Sequence, residues 1–147
     1  MTRGKLAGCA LGEVLKGRSV KLTPSRILAF SGGAFDEPGW PHRNIHTDRE
    51  KARDAGLPDA IASGTQSEGV LLTHLVDLIG PSWHDRGELE AKFIKSAFMN
   101  DEITPVAVVR EIRDGADGKT VELEVWCETQ SGERIIVGRA SGPLAGC

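Results

Sequence analysis

The feature that most constrains the fold is a helix-forming segment from Gly64 to Ile79 that is apolar on nearly every side. Its first turn is polar, and the residues after it cover almost all directions around a helix: Val70, Leu71, Leu72, Leu75, Val76, Leu78 and Ile79. A helix that is apolar all round is buried rather than laid on a surface. Gly80 and Pro81 end the segment. We therefore expect a central helix that the rest of the chain has to cover.

The chain after this helix changes from helical to alternating periodicity. The clearest strand alternates apolar residues with Glu122, Glu124, Trp126 and Glu128, which predicts one face in solvent. Similar patterns predict strands at residues 88–94, 103–113 and 135–141, separated by turns at 99–102, 114–118 and 131–132. Strands joined in this way form an antiparallel sheet. Because nothing else can bury the central helix, we expect an α+β fold in which the sheet wraps around it.

The first third of the chain predicts shorter elements. Residues 1–12 are rich in glycine and are expected to form a loose arm, so that residues 13–147 make up a single domain. Residues 13–22 predict a short strand with a turn at Gly17. Thr23 and Pro24 are typical of a helix start, and we expect the following Ile27, Leu28 and Phe30 to pack inward.

Residues 34–43 contain two prolines and a glycine, which predicts an irregular loop. Thr47 and Glu50 then have the spacing of a capping box, with Thr47 as the N-cap of a short helix that runs to about Ala55. Gly56 and Pro58 end this helix.

Composition excludes several classes of function. The 147 residues fit one domain, and 18 Lys and Arg against 21 Asp and Glu, with no basic run, argue against a nucleic-acid interface. No apolar run approaches the ~20 residues of a membrane span. Three cysteines without a C-x-x-C pair argue against both a disulfide framework and a zinc site. We therefore expect a cytoplasmic protein that binds no metal, with Cys127 as a small core residue.

His46 is the main candidate for chemistry. It lies just before one helix and is expected near the start of the second, longer helix at Gly64. A histidine has an unperturbed pKa near 6.5 and moves protons near neutral pH, whereas a helix N-terminus offers unpaired N–H groups and a partial positive charge. Together they suit chemistry at an acyl carbonyl. His74, in the middle of the apolar helix, is expected to be a hydrogen-bonded core or interface histidine instead.

Several segments, in order along the chain, resemble the signature of one protein family. The matching segments are Phe30-Ser31-Gly32, Asn44-Ile45-His46-Thr47-Asp48, Ala52, Gly56 and Ile61-Ala62-Ser63-Gly64. Residues 92–102 resemble the strand-turn-strand that follows in that family. Over roughly residues 13–143 the chain resembles the MaoC-like dehydratases, the (R)-specific enoyl-CoA hydratase group.

The resemblance implies a hot-dog fold, in which an antiparallel sheet wraps a long central helix. It implies a hydratase or dehydratase that adds or removes water at a 2-enoyl or 3-hydroxyacyl thioester of CoA or an acyl carrier protein, without a cofactor. His46 would transfer protons, and the backbone N–H of Gly64, with Thr65 beside it, would hold the thioester oxygen. Asn44 and Ser63 would also lie at the substrate site.

The chain departs from the family at the catalytic carboxylate. The position of the family's aspartate, ahead of the histidine, holds Pro41 here, and extra residues precede His46. Asp36 in the extra loop is the leading replacement, because a loop can fold it back beside His46. His42 and Asp48 are alternatives, and a site with no carboxylate is left open.

Two other functions are left open by the sequence. A site without its carboxylate would bind acyl thioesters and catalyse no hydration. A hot-dog thioesterase is the other alternative, with Glu68 on the central helix as its base; Ser67 and Glu68, one turn inside that helix, are both candidates for facing the pocket. A single sheet leaves an open edge, so we also expect a homodimer or a dimer of dimers.

Overall fold

The structure is a computed structural model that describes residues 4–6 and 8–144. Four helices and six strands are present in this part of the chain. In chain order they are β1 (Val14–Lys16), β2 (Val20–Lys21), α1 (Pro24–Ser31), α2 (Arg49–Asp54), α3 (Gly64–Ile79), α4 (Trp83–Arg86), β3 (Glu88–Phe93), β4 (Glu102–Gly115), β5 (Gly118–Thr129) and β6 (Arg134–Leu144).

The strands form one antiparallel sheet in the order β1-β4-β5-β6-β3, with β2 also paired to β4. β4 and β5 are joined by the predicted hairpin, which closes at Gly115 and Gly118. Asn100 has a φ of 71°, so the turn before β4 uses the left-handed backbone that asparagine tolerates. The α+β class and the antiparallel sheet packed on a central helix are therefore confirmed.

Helix α3 has the predicted bounds and supplies the core, although it is not buried on every side. Leu71 and Leu75 are fully buried against the sheet. Thr73 and Asp77 on the opposite face are exposed, and Val76 is half-buried. The expectation of complete burial is therefore wrong for this face. The core holds side chains from α3 and from the inner face of the sheet, among them Ile103, Ala107, Val109, Val121, Leu123, Val125, Cys127, Ile135 and Ile136.

The N-terminal segment is attached to this core where the structure describes it. The backbone N–H groups of Lys5 and Leu6 donate to the carbonyls of Asp77 and Leu78, at 3.2 and 3.1 Å. The side chain of Leu6 is only 2% exposed. Residues 4–6 therefore cover the end of α3 rather than form a loose arm. Residues 1–3, 7 and 145–147, which belong to the predicted arm and domain, lie outside the described residues.

Helix α1 begins as predicted: the Thr23 side chain accepts a hydrogen bond from the N–H of Arg26, and Pro24 follows it. Ile27 is fully buried as expected, but Phe30 is 53% exposed. The prediction that Phe30 packs inward is therefore wrong.

The cap of helix α2 differs from the prediction. Asp48, not Thr47, is the N-cap, and its carboxylate accepts hydrogen bonds from the N–H groups of Glu50 and Lys51 at 2.9 and 3.2 Å. The Thr47 hydroxyl instead donates to the carbonyl of His42 at 2.6 Å. A carboxylate gains more than a hydroxyl from the positive end of a helix, which accounts for the shift by one residue.

Candidate active site

The loop that carries His46 is held by the side chain of Asn44. The Asn44 Oδ1 atom accepts hydrogen bonds from the N–H groups of His46 and Thr47, at 2.9 and 3.2 Å. Its Nδ2 atom donates to the carbonyl of Ser31 at the end of α1, at 2.9 Å. Both polar atoms of the amide are thus used inside the protein. Asn44 positions the histidine loop against α1.

The His46 ring is fixed by one hydrogen bond. Its Nδ1 atom lies 2.8 Å from the carbonyl oxygen of Ile61. A carbonyl oxygen can only accept, so Nδ1 carries the proton and donates it. In the neutral ring the Nε2 atom then has a free lone pair. The N–H of Ile61 donates in turn to the carbonyl of Ile45 at 3.3 Å, which joins the two segments. The arrangement leaves a proton acceptor available on the ring.

A cleft of about 330 Å³ opens beside this ring, here called the main cleft. Its walls come from His46, from the start of α3, from the segment after β3 and from the start of β6. Ile135 and Ile136 give it an apolar wall, whereas Ser67 and Lys95 provide polar groups. A mostly apolar cleft with a few convergent polar groups is typical of a small-molecule site.

The N-terminus of α3 faces the same cleft. Ser63 makes no side-chain cap, and its hydroxyl lies 2.9 Å from that of Thr65. The N–H groups of Gly64 and Thr65 have no hydrogen-bond partner among the described residues. Gly64 itself lines the cleft. Free N–H groups at a helix N-terminus attract negative charge, so this end can hold an oxygen that becomes anionic.

A side chain at position 64 would crowd the site. A Cβ atom added to Gly64 would lie 3.0 Å from two ring carbons of Phe93, which also lines the main cleft. The preceding segment is held by the N–H of Ala62, which donates to the carbonyl of Ala97 at 2.8 Å. The helix start is therefore fixed against the far wall of the cleft.

The His46 ring also borders a second, more open cleft of about 640 Å³. Asn44, Lys51 and Asp54 are among its other lining residues. Asp54 is the only carboxylate that lines either cleft within the described chain. Nothing in the sequence pointed to Asp54, since the last residue of a short helix carries no signal for a site.

The predicted replacements for the carboxylate lie elsewhere. Asp36 is exposed, lines neither cleft and makes no hydrogen bond with a described residue. His42 is also exposed, with its Nε2 atom 4.0 Å from a Glu37 oxygen. Asp48 caps α2 and pairs with Arg43, whose hydrogen bond holds the pKa of that carboxyl below its usual range. None of these three groups is hydrogen-bonded to the His46 ring or lines either cleft with it.

Of the remaining candidate residues, some line the main cleft and others do not. Gly64 lies with His46 at the main cleft, but Ser63 and Thr65 are not among its lining residues. Ser67 lines the cleft and Glu68 does not. The apolar wall from β6 was missed, because Ile135 and Ile136 read as ordinary strand residues.

Comparison with known proteins identifies the family. The sequence profile described as "MaoC like domain" matches residues 8–131. The chain belongs to this family. No curated protein sequence matches it.

Solved structures support the fold. One is an (R)-hydratase from A. caviae involved in PHA biosynthesis, at 18% identity and a TM-score of 0.72, covering 93% of this chain and 98% of that one. The unliganded R-hydratase PhaJ1 from Pseudomonas aeruginosa gives 17% identity and 0.72, with 96% and 86% covered. The ChsH1-ChsH2 complex from Mycobacterium tuberculosis gives 18% and 0.68, with 90% and 95% covered. The predicted hot-dog fold is confirmed.

Two further findings concern membrane-spanning helices and metal sites. None of the helices in the described chain is both long and apolar enough to cross a lipid bilayer. Among residues 4–6 and 8–144, no group of three or more His, Cys, Asp or Glu side chains is placed to hold a metal ion.

Proposed function

We propose that this protein is a hydratase or dehydratase that adds water to, or removes it from, a 2-enoyl or 3-hydroxyacyl thioester of CoA or an acyl carrier protein. One observation carries the proposal. Two residues line the main cleft together: His46, whose Nε2 atom has a free lone pair in the tautomer set by Ile61, and Gly64, whose N–H has no partner among the described residues. Family membership supports the same reaction class.

In the hydration direction, His46 acts first as a base. Its Nε2 atom takes a proton from a water molecule, and the water oxygen bonds to C3 of the enoyl group. The electron pair of the C2–C3 double bond moves toward the carbonyl, so negative charge gathers on the thioester oxygen. The N–H at Gly64 and the positive end of α3 stabilise that charge.

His46 then acts as an acid. The imidazolium returns its proton to C2, which restores the neutral ring and the thioester carbonyl. One water has then been added across the double bond, with hydrogen at C2 and hydroxyl at C3. Dehydration is the same path in reverse. A single histidine can perform both transfers.

The role of Asp36 in the reaction stays a prediction. If substrate binding folds the loop so that Asp36 serves His46, the Asp36→Ala variant loses about 100-fold in kcat/KM. Glu37→Ala, which removes the neighbouring carboxylate, is the control and keeps its activity. Full activity in Asp36→Ala would remove that residue from the mechanism and leave His46 as the sole proton-transfer group.

The alternative functions receive different support. A thioesterase with Glu68 as its base has none, because Glu68 does not line either cleft. An acyl-thioester binding module uses the same cleft and helix end without turnover. Its supporting observation is that the main cleft contains no carboxylate from the described chain.

The assembly is also a proposal. Strand β3 lies at the end of the sheet, bonded to β6 on one side. Phe93 and Ile94 at its end are 51% and 47% exposed and line the main cleft. We propose a homodimer that pairs along this edge, with each cleft close to the subunit boundary.

Incubation with crotonyl-CoA separates the three functions. Loss of the enoyl absorbance without release of free thiol supports the hydratase. Release of free thiol supports the thioesterase, and tight binding without either change supports the binding module. The last two outcomes contradict the proposed function.

A further inference from the structure

Ser67 has a hydroxyl group that the protein itself does not use. The residue is 3% exposed and lies in the second turn of α3, on the wall of the main cleft. Its hydroxyl makes no hydrogen bond with any described residue, not even with the carbonyl of Ser63 one turn earlier, which accepts the Ser67 N–H at 3.2 Å. The Ser67 Oγ atom is not among the fully buried side-chain atoms that lack a partner, so it is open to the cleft rather than sealed in the core. A hydroxyl that opens on a cleft wall without a protein partner can pair with a group of a bound ligand.

The position of Ser67 tells where that ligand group lies. Ser67 follows Gly64 by three residues, so both face the same side of α3, about 4.5 Å apart along the helix axis. The next residue on this face, Leu71, is fully buried and is not part of the cleft wall. Ser67 therefore marks the floor of the cleft, one helical turn beyond the site of the thioester oxygen.

The surroundings of Ser67 make its hydroxyl selective. Ala97, Ile135 and Ile136 form apolar parts of the cleft wall, and Lys95 and Ser96 form polar parts. A plain alkyl chain that reached this floor would leave the hydroxyl unpaired, whereas a chain with an oxygen at that depth would pair with it. A site built to hydrogen-bond a substrate oxygen discriminates against the analogue without it.

We propose that this site takes short acyl thioesters that carry a hydroxyl or carbonyl oxygen at C4 or beyond, and that Ser67 binds this oxygen. The inference rests on the proposed function, since it takes the thioester oxygen to lie at Gly64. Ser67 determines specificity and takes no part in the proton transfers, which belong to His46.

A matched pair of substrates tests the proposal. Trans-4-hydroxybut-2-enoyl-CoA and trans-pent-2-enoyl-CoA have the same shape and differ by a hydroxyl in place of a methyl. We expect the wild-type protein to prefer the hydroxylated substrate by about 10-fold in kcat/KM, the size of one buried hydrogen bond. In Ser67→Ala the preference falls to near one, through loss on the hydroxylated substrate alone. Thr73→Ala, which removes an exposed hydroxyl on the opposite face of α3, keeps the wild-type preference.

Equal rates on the two substrates in the wild-type protein would overturn the proposal. A Ser67→Ala variant that loses activity equally on both would also overturn it, because Ser67 would then serve the common part of the substrate. Thermal melting is the folding control: removal of an unpaired hydroxyl is not expected to lower the melting temperature.

Binding separates this inference from the proposed function. If neither thioester is hydrated, the proposed function fails, and calorimetric affinities of the wild-type protein for the same two ligands decide the role of Ser67. If both are hydrated, His46→Ala is used for the affinities, since we expect its turnover to fall by about 100-fold or more. An about 10-fold tighter Kd for the hydroxylated ligand, abolished by Ser67→Ala, supports the inference. Equal affinities, or no binding of either ligand, overturn it.

Discussion

At the scale of single residues, the site depends on hydrogen bonds that set orientation. Asn44 holds the backbone around His46, and the carbonyl of Ile61 selects the ring tautomer. Neither hydrogen bond involves a charged side chain as the partner of His46. The histidine is therefore ready to accept a proton at Nε2 before any substrate enters, which is the kind of preorganisation that proton-transfer catalysis uses.

Asp48 shows how a neighbouring carboxylate serves structure instead. The hydrogen bond from Arg43, followed by those from the α2 backbone, lowers the pKa of Asp48 below its unfolded value near 3.9. The charged form therefore stabilises the fold above the unfolded pKa, and this contribution is lost as the pH falls through the folded pKa. We predict that Asp48→Asn melts at a lower temperature than the wild-type protein at pH 7.

The difference between the two melting temperatures should shrink as the pH falls below about 4. Thermal melts monitored by circular dichroism at several pH values measure it. Asp117→Asn, an exposed residue of the β4–β5 hairpin, is the control and should melt with the wild-type protein throughout. A constant difference between wild type and Asp48→Asn at all pH values would rule out the charge as its cause.

At the scale of elements, His74 connects α3 to the edge of the sheet. Its Nε2 atom donates to the carbonyl of Leu15 in β1 at 3.0 Å, and the residue is buried as the sequence predicted. Burial is the main cause that lowers the pKa of His74; the bond to Leu15 and the charge of Asp77 oppose it, and Lys5 adds to it. The folded protein therefore holds this ring neutral where the unfolded chain would protonate it.

That difference predicts a loss of stability in mild acid. Between the folded and unfolded pKa values the unfolded chain binds more protons, so stability rises with pH and falls as the pH drops below about 6.5. We expect the melting temperature to fall more between pH 7.5 and pH 5 in the wild-type protein than in His74→Gln. The exposed His84 provides the control, because His84→Gln should keep the wild-type dependence. Identical pH dependence in His74→Gln would exclude His74 as the origin.

The elements themselves follow well from the sequence. The apolar run of α3, bounded by Gly64 and Gly80, and the alternating strands with their hairpins are periodic signals, so the helix bounds and the sheet agree with the prediction. One error, at the cap of α2, lies where two side chains compete for one role. Thr47 and Asp48 both suit an N-cap, and only the fold shows that the Thr47 hydroxyl is used by His42.

At the scale of the whole molecule, contacts without periodicity were not predictable. Leu6 packs into the core although its surroundings read as a loose glycine-rich segment, because the contact depends on the distant end of α3. The position of the loop with Asp36 was unpredictable for the same reason. Its residues indicate a turn-rich segment, but they do not indicate the direction in which the segment folds. His46 and Gly64 line one cleft, but the sequence did not supply the other neighbours of the histidine.

The open edge of the sheet predicts the assembly. We expect a homodimer in light scattering at micromolar concentration, because pairing along β3 would cover the exposed apolar side chains at its end. Ile94→Glu places a charge in that boundary and should shift the protein to a monomer. Phe35→Glu alters a side chain that is 83% exposed in the 34–43 loop and should leave the dimer intact. A monomeric wild-type protein, or a dimer that Ile94→Glu does not weaken, would contradict this edge as the interface.

The most direct test of the whole account is the rate of crotonyl-CoA hydration by His46→Ala, beside His84→Ala as the matched histidine control. With His46 as the proton-transfer group, kcat/KM of His46→Ala falls by about 100-fold or more, while His84→Ala hydrates at the wild-type rate. A His46→Ala variant that removes the enoyl absorbance as fast as the wild-type protein would contradict the account.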